Sequence, residues 1–330
     1  MDIKTFHKRY GHCLGETSVE DFLNIYWQKK PLLIRNAFNN IESPLSAEEL
    51  AGLACEDHVN ARLVLAEDGD KTWQVEFGPF DESRFNTLPV SNWSLLVSDI
   101  EKHLPETKSL LQPFHFIPDW RIDDLMISYA PEGGSVGAHT DAYDVFLLQL
   151  SGQRLWQISE NFDDEIIPDT DLRILKHFSA EQEWLLNPGD MLYLPPNVAH
   201  YGVAKNNNLN NDKDKDHNSH CMTASIGFRS PSLATASNEF IHYLSSKDKQ
   251  YKNLRFTDRI KTLQSHHAEI TDETVAEFID FIKQGLQIEP EQVKHWLGHY
   301  CSDNKTFEDY IEQRSENQVF SYEEIISLAS

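Results

Sequence analysis

Residues 137–159 read GAHTDAYDVFLLQLSGQRLWQIS and combine two kinds of signal. Apolar and β-branched residues on both sides of the turn signal SGQ predict two β-strands joined by a tight turn. The same stretch opens with His139 and Asp141 and carries Arg154 after the turn. Because residues two apart in a strand point to one face of a sheet, we expect the imidazole and the carboxylate to converge. The hairpin is therefore predicted to carry a metal-binding site.

A second histidine completes a candidate metal site. The stretch NPGDMLYLPPNVAHYGV (187–203) predicts a turn, a strand and a corner that ends at His200. In an antiparallel barrel, this later segment can return beside the first. Two imidazoles and one carboxylate form the facial triad of non-haem Fe(II) oxygenases, which leaves positions open for a co-substrate and dioxygen. Zinc accepts the same ligands, and a strand histidine can also be a hydrogen-bonded core residue, so the residues alone leave these alternatives open.

Arg154 bears on the choice between these chemistries. It shares one face of its predicted strand with Trp156 and Ile158, and an arginine buried there requires an anionic partner. The planar guanidinium fits a carboxylate with two hydrogen bonds, as the distal carboxylate of 2-oxoglutarate would provide. The alternative places Arg154 on the outer face of the sheet, paired with Glu160.

Four further polar residues are candidates for a functional role. Ser128, on the predicted strand LMISYA, could hydrogen-bond a co-substrate or be an ordinary strand serine. Tyr143 continues the spacing of the triad residues and could line a substrate pocket or belong to the core. His295 and His299 stand four apart in HWLGH, a spacing that zinc can use on a helix. No third ligand is evident near this pair, so a packed or exposed helix face is the preferred interpretation.

The chain is predicted to consist of three segments. Residues 1–90 mix helix and strand signals, with helices at 17–30 and 46–55. Residues 91–231 contain short strands separated by turn signals, which favours an all-β barrel or sandwich. Residues 232–330 return to helical patterns. The fold is thus expected to be mainly β, with helices before and after the β core.

The late helix TVAEFIDFIKQGL (274–286) shows a clear helical pattern. Thr274 and Glu277 have the spacing of a capping box that would open the helix, and Pro290 suits the first turn of the next helix. The apolar residues that form one stripe of this helix are Val275, Phe278, Ile279, Ile282 and Leu286. Such a stripe indicates packing or contact with a partner.

Composition excludes several classes of protein. Hydrophobic residues make up 40% of the 330 residues, which is enough for a globular core. The 53 acidic and 29 basic residues give a net charge of −24, which disfavours direct nucleic-acid binding and favours a basic partner or simply solubility. No apolar run is long enough to cross a bilayer, no signal peptide is evident, and the four cysteines are scattered. We therefore expect reduced thiols and a cytoplasmic location. Residues 205–220 are predicted to form a polar loop inserted between two strands.

Several motifs in a fixed order resemble one known family, the JmjC-type bacterial ribosomal oxygenases. These motifs are YWQKKPLLIR (26–35), PDWRIDDLMIS (118–128), GAHTDAYDVFLLQLSGQRLW (137–156), NPGDMLYLPPNVAH (187–200) and SIGFRSP (225–231). The resemblance implies a double-stranded β-helix core of the cupin or jelly-roll type. It also implies a helical homodimerisation region and the start of a winged-helix region within 232–330.

The resemblance further implies a site and an activity. His139, Asp141 and His200 would bind Fe(II), and Arg154 and Ser128 would contact 2-oxoglutarate. With dioxygen, such a site would hydroxylate an arginine of a basic ribosomal large-subunit protein. The alternatives are hydroxylation of a ribosomal-protein histidine and a non-catalytic metal-binding cupin module. Zinc hydrolysis is less favoured, because no general base is evident beside the triad.

Overall fold

A computed structural model describes most of the chain. The described residues are 13–67, 72–168, 170, 172–205, 220–229, 231–247, 253–257, 270–285 and 288–302. The chain divides into two compact units, Met1–Ser230 and Pro231–Ser330. The predicted inserted loop lies almost entirely outside the described residues. So does the end of the chain, where the resemblance implied a winged helix.

The first unit is built on antiparallel β-strands. The strands are β1 (Leu32–Ile34), β2 (Ala61–Glu67), β3 (Thr72–Phe77), β4 (Trp93–Val97), β5 (Ile122–Ala130), β6 (Asp144–Ser151), β7 (Gln153–Ser159), β8 (Gln182–Leu186), β9 (Met191–Leu194), β10 (Ala199–Lys205) and β11 (Cys221–Phe228). The expected mainly β fold is confirmed, and the six strands predicted in the β segment correspond to β5, β6, β7, β8, β9 and β11.

Two antiparallel sheets form this unit. The larger has the strand order β1-β9-β6-β11-β5-β4-β2-β3, and the smaller has the order β10-β7-β8. The predicted hairpin joins them, because β6 belongs to the larger sheet and β7 to the smaller one. Its turn lies at Gly152, where φ is +62° and an added Cβ would lie 2.5 Å from the carbonyl oxygen of His220. Only glycine meets both conditions without strain.

Alternating side chains of β6 supply two hydrophobic cores. Phe146 and Leu148 face the main core, where the N-terminal helices and the 3₁₀ turns also pack. Val145 and Leu147 face the other way and pack with Trp156 of β7 in a second cluster between the sheets. The face of the larger sheet that carries Val145 and Leu147 is therefore its inner face.

Short helices cover the main core. They are α1 (Val19–Asp21), which continues as a π-helical turn (Phe22–Tyr26), α2 (Ala47–Leu53), α3 (Glu82–Phe85) and α4 (Ile100–His103), followed by 3₁₀ turns at Pro105–Leu110, Gln112–Phe114 and Asp119–Arg121. The prediction for 46–55 is confirmed, with Ser46 and Glu49 forming a capping box. The prediction for 17–30 was too long. The chain leaves helical geometry at Trp27, whose ψ is 119°, and Gln28 follows with a φ of +57°.

The second unit contains three described helices, α5 (Leu233–Lys247), α6 (Asp272–Gly285) and α7 (Pro290–Ser302). Pro290 opens α7 as predicted. The predicted capping box of α6 was wrong, because the helix begins earlier and the Thr271 hydroxyl accepts a hydrogen bond from the Thr274 N–H at 3.2 Å. Leu286 lies outside the described residues. None of the described helices is long and apolar enough to span a membrane.

Candidate metal centre and co-substrate pocket

The three predicted metal-ligand side chains lie together. His139, Asp141 and His200 each offer a ligand atom, and these atoms lie within 4.8 Å of one another. One carboxylate oxygen of Asp141 is 3.9 Å from Nε2 of His139, and the other is 3.6 Å from Nε2 of His200. This is the only group of three or more such residues found in the part of the chain that the structure describes.

The route by which these residues converge differs from the prediction. His139 and Asp141 were expected on a strand, but they lie in the loop before β6 and only His139 forms an isolated bridge, with His200. The His139 N–H donates to the His200 carbonyl at 3.0 Å, and the His200 N–H donates to the His139 carbonyl at 2.8 Å. Gly137 opens the loop at a φ of +82°, and the N–H of Asn197 donates to the Asp141 carbonyl at 2.7 Å. The loop is thus fixed by main-chain contacts with the segment that carries His200.

A buried carboxylate anchors the other end of this loop. Asp144, the first residue of β6, is fully buried and accepts hydrogen bonds from the Tyr193 hydroxyl at 2.6 Å and from Nε2 of Gln28 at 3.0 Å. The guanidinium of Arg121 lies 3.5 Å away. Burial and this carboxylate raise the pKa of Tyr193 above its ordinary value. Since the loop ends at Asp144, the network holds the metal-ligand segment against β9.

Hydrogen bonds orient both imidazoles toward a common point. Nδ1 of His139 lies 3.0 Å from the Gly137 carbonyl, and Nδ1 of His200 lies 3.0 Å from the Val198 carbonyl. A carbonyl oxygen only accepts, so each Nδ1 carries the proton and each Nε2 presents a lone pair. Burial, and then the neighbouring His139, lower the pKa of His200 to about 4. Two imidazoles with a carboxylate are the donor set of a divalent-metal site.

Arg154 is buried beside this centre with unsatisfied donors. Arg154 is 4% exposed, and its Nη1 makes a long contact of 3.4 Å to the Gly202 carbonyl. Nε and Nη2 have no hydrogen-bond partner among the described residues. The alternative of an outward Arg154 paired with Glu160 is therefore wrong. A buried guanidinium with free N–H groups fits an anionic ligand, and the carboxylate of a diacid matches its two donors.

Polar residues of the larger sheet's inner face share the space between the sheets. Ser128 is buried, and among the described residues its hydroxyl makes one long contact of 3.4 Å, to the Thr223 carbonyl. The Thr223 hydroxyl donates to Oε1 of Gln149 at 3.1 Å. These three residues occupy one row across β5, β11 and β6. Sequence reasoning found Ser128 but missed the other two, because their alignment depends on the register of non-adjacent strands.

The sequence also missed Asp124, which lies on the same inner face nearer the end of β5. An added Cβ on Gly227 would lie 2.9 Å from Oδ1 of Asp124 and 3.7 Å from Cε2 of Tyr143. Tyr143, predicted to line a substrate pocket, is one of the exposed large apolar side chains. The three residues thus group at the end of β5 that is nearer the metal-ligand loop. Asp124 lies four residues before Ser128, so both side chains leave the same face of β5. This spacing was the sequence signal that could have revealed Asp124.

The environment of Asp124 is unfavourable to its charged form. Burial, and then the carboxylates of Asp123, Asp99 and Glu101, raise its pKa to about 8, against the opposing charge of Arg62. The ionised form of such a carboxyl group becomes favourable when a cation binds beside it. Such a group is a candidate for recognition of a positively charged side chain.

The other candidate ligands are not assembled into a site. His299 packs against Tyr243, with ring centroids 5.7 Å apart, and the described residues provide no third ligand for His295 and His299. All four cysteines are free thiols, as expected.

Comparisons with known proteins identify the β core. The sequence profile of the JmjC domain matches residues 109–236. The ribosomal protein uL16 3-hydroxylase of Escherichia coli (strain K12) is 36% identical over 286 residues, which cover 86% of this chain and 71% of that protein. A probable ribosomal oxygenase of Haemophilus influenzae is 42% identical over 226 residues, covering 67% of this chain and 52% of the relative.

A solved structure is similar over the same span. The ribosomal oxygenase YcfD of Escherichia coli, in complex with cobalt and 2-oxoglutarate, matches with a TM-score of 0.72 and 34% identity, over 88% of this chain and 72% of that one. The two sheets, with a His-Asp-His cluster between them and a buried arginine on β7, define a cupin-type JmjC protein. More specifically, the chain belongs to the family of JmjC ribosomal oxygenases.

Proposed function

We propose that this protein is an Fe(II)- and 2-oxoglutarate-dependent hydroxylase that acts on an arginine of a ribosomal large-subunit protein. The observation that carries the proposal is the pairing of the His139, Asp141 and His200 cluster with the unsatisfied guanidinium of Arg154. A metal-binding module without catalysis would need the first feature but not the second. The similarity to the uL16 3-hydroxylase over 86% of the chain supports the substrate class.

Three of the site residues would bind the metal, and two others bind the co-substrate. His139 and His200 would hold the iron through Nε2 and Asp141 through a carboxylate oxygen, which leaves positions open for other ligands. Arg154 binds the distal carboxylate of 2-oxoglutarate, and the Ser128 hydroxyl supplies a further hydrogen bond. When bound, iron, 2-oxoglutarate and dioxygen supply an oxidant that inserts oxygen into a C–H bond and releases succinate and carbon dioxide. The protein contributes ligand geometry and a pocket that excludes water.

Asp124 and Tyr143 position the target side chain. The carboxylate of Asp124 pairs with the substrate guanidinium, and the ring of Tyr143 packs against its aliphatic part. Gly227 leaves the space between them open. This arrangement favours arginine over histidine, because a guanidinium keeps its charge at every physiological pH and so compensates Asp124 throughout. No observation among the described residues favours the histidine alternative.

Charge suits a basic protein partner. A net charge of −24 attracts a basic ribosomal protein and repels the phosphates of ribosomal RNA. The enzyme therefore binds the ribosomal protein itself and not ribosomal RNA. It does so in the cytoplasm, where ribosomal proteins are made.

The helical unit forms a homodimer through α6. Four apolar side chains of this helix, predicted as one stripe, are 44–53% exposed, and they are Val275, Phe278, Ile279 and Ile282. A second copy of the chain would bury them. Ile279→Glu should convert a dimer into a monomer in size-exclusion chromatography with light scattering. Val90→Glu, at an exposed apolar position of the first unit, should leave the dimer intact, and a wild-type monomer would contradict the proposal.

The activity is tested by mass spectrometry. Recombinant uL16-type protein is incubated with the enzyme, Fe(II), 2-oxoglutarate and oxygen, and fragment masses are read for the gain of one oxygen atom on an arginine. Asp141→Ala, which should fold but lose a metal ligand, is the matched control. Oxygen on a histidine would favour the alternative hydroxylase. No oxidation by an enzyme that binds both metal and 2-oxoglutarate would reject this substrate class.

A further inference from the structure

We infer that Trp156 is an additional contact for the co-substrate, which its indole N–H holds by a hydrogen bond. This inference rests on the proposed function, because it assumes that a diacid binds between the metal centre and Arg154. The β7 pattern alone would place Trp156 in the apolar core, with no hydrogen-bonding role.

The indole N–H is buried and unsatisfied. Trp156 is 6% exposed, and Nε1 has no hydrogen-bond partner within the described part of the chain. The benzenoid ring packs against Gly202 of β10, where an added Cβ would be 2.5 Å from Cζ3 and 2.7 Å from Cη2. Nε1 belongs to the five-membered ring, on the other side of the indole from these atoms. A buried donor without a partner is costly, so its retention indicates an acceptor in the loaded protein.

The strand register places this ring between the metal centre and Arg154. On β7 and β10, His200 is opposite Ile158, Gly202 is opposite Trp156, and Ala204 is opposite Arg154. The Trp156 ring centroid is 5.9 Å from that of His200 and 5.7 Å from Cζ of Arg154. A ligand that joins the metal to Arg154 therefore passes beside the Trp156 ring.

The neighbours of Trp156 distinguish it from a structural tryptophan. Trp73 also has a buried indole N–H without a partner, but it lies in an apolar cluster with Val64 and Ile174. Trp156 also packs in an apolar cluster, but Cζ of Arg154 lies 5.7 Å from its ring centroid, and Nε and Nη2 of Arg154 likewise have no partner among the described residues. Three unpaired donors and one positive charge in the same region match an anion with several oxygen acceptors, as 2-oxoglutarate has.

The test measures binding rather than turnover. The dissociation constant of 2-oxoglutarate is determined by calorimetry without oxygen, with Mn(II) in place of iron, for wild type, Trp156→Phe and Trp184→Phe. Phenylalanine removes the donor and keeps most of the ring, so affinity should fall about tenfold or more. Trp184 is opposite Trp156 on β8 and packs against the same cluster, so its variant should bind like wild type. Wild-type affinity in Trp156→Phe would overturn the inference.

The Arg154→Met variant distinguishes a failure of the Trp156 contact from a failure of the proposed function. If Arg154→Met binds weakly and Trp156→Phe binds normally, only the Trp156 contact is wrong. If wild type fails to bind 2-oxoglutarate, or Arg154→Met binds it normally, the proposed function fails and the Trp156 contact with it.

A second measurement covers the case in which Trp156→Phe does not fold. In wild-type protein labelled with ¹⁵N at its seven tryptophans, the indole signals are recorded with Zn(II) before and after addition of 2-oxoglutarate. Because the Trp156 ring contacts His200, its signal is the one most strongly broadened when Mn(II) replaces Zn(II). That signal should move downfield when 2-oxoglutarate binds, and an unmoved signal would overturn the inference.

Discussion

Arg154→Met should have opposite effects on the empty and the loaded protein. Arg154 is 4% exposed, two of its nitrogens have no partner among the described residues, and Nη1 makes one long contact to the Gly202 carbonyl. Replacing buried charges by well-packed apolar side chains is often stabilising by about 1–4 kcal/mol. Met fills much of the same volume, so we expect the free energy of unfolding to rise by about 1–3 kcal/mol without ligand.

In the loaded protein the same substitution removes the partner of a carboxylate. A hydrogen bond to a charged group contributes about 1.5–3 kcal/mol, and Arg154 offers at least two donors. We expect a loss of about 3 kcal/mol in binding, which raises the dissociation constant of 2-oxoglutarate about a hundredfold. The stabilisation that saturating 2-oxoglutarate gives to wild type should shrink accordingly.

Urea unfolding with Zn(II), with and without 2-oxoglutarate, measures both effects. Arg84→Met is the matched control, since Arg84 makes a partly exposed ion pair with Glu76 at 2.7 Å. Its loss should lower stability by about 1 kcal/mol or less, equally in both states. An Arg154→Met variant that is less stable when empty, yet binds 2-oxoglutarate as wild type does, would refute the reasoning.

Three further substitutions test the roles of Asp124, Asp144 and Gly202. Between the ordinary pKa of 3.8 and the folded value of about 8, folded Asp124 keeps a proton that the unfolded chain has lost, so its contribution to stability falls as pH rises. Asp124→Asn should remove up to about 1.4 kcal/mol per pH unit of this slope, and identical slopes in urea titrations of both proteins would contradict the assignment. Asp144→Asn takes the charged acceptor from Tyr193 and should cost about 2–4 kcal/mol, checked by the same unfolding measurement; an unchanged midpoint would exclude the anchoring role. Gly202→Ala brings a methyl group to 2.5 Å from the Trp156 ring and should cost about 1–3 kcal/mol, whereas Gly52→Ala meets open space and should be neutral or stabilising; equal effects would contradict the close approach.

The parts of the fold that follow local patterns could be predicted from the sequence. Two-residue alternation identified β6 and β7, and the turn signal around Gly152 marked the place where the chain changes sheets. The same alternation placed Arg154 on the face of Trp156, which its burial confirms. The spacing of His139 and Asp141 and a later histidine made these three residues candidate ligands, and the resemblance to the ribosomal oxygenases assigned them to iron.

The parts that depend on distant contacts could not be predicted. His139 was assigned to a strand, but its conformation is set by exchange of hydrogen bonds with His200, far along the chain. The sequence predicted a strand before the inserted loop without bounds for it, and the need for Gly202 in β10 depends on the Trp156 ring on another strand. Asp124 became a candidate substrate contact only once the pairing of β11 with β5 placed Gly227 beside it.

The most direct test is a titration of the protein with Fe(II) and 2-oxoglutarate in the absence of oxygen. If the three ligands and Arg154 hold both partners together, a visible metal-to-ligand charge-transfer band will develop in wild type. The band will be absent in Asp141→Ala, and Arg154→Met will need far more 2-oxoglutarate to reach the same intensity. A folded wild-type protein that binds iron but never develops the band would contradict the oxygenase site.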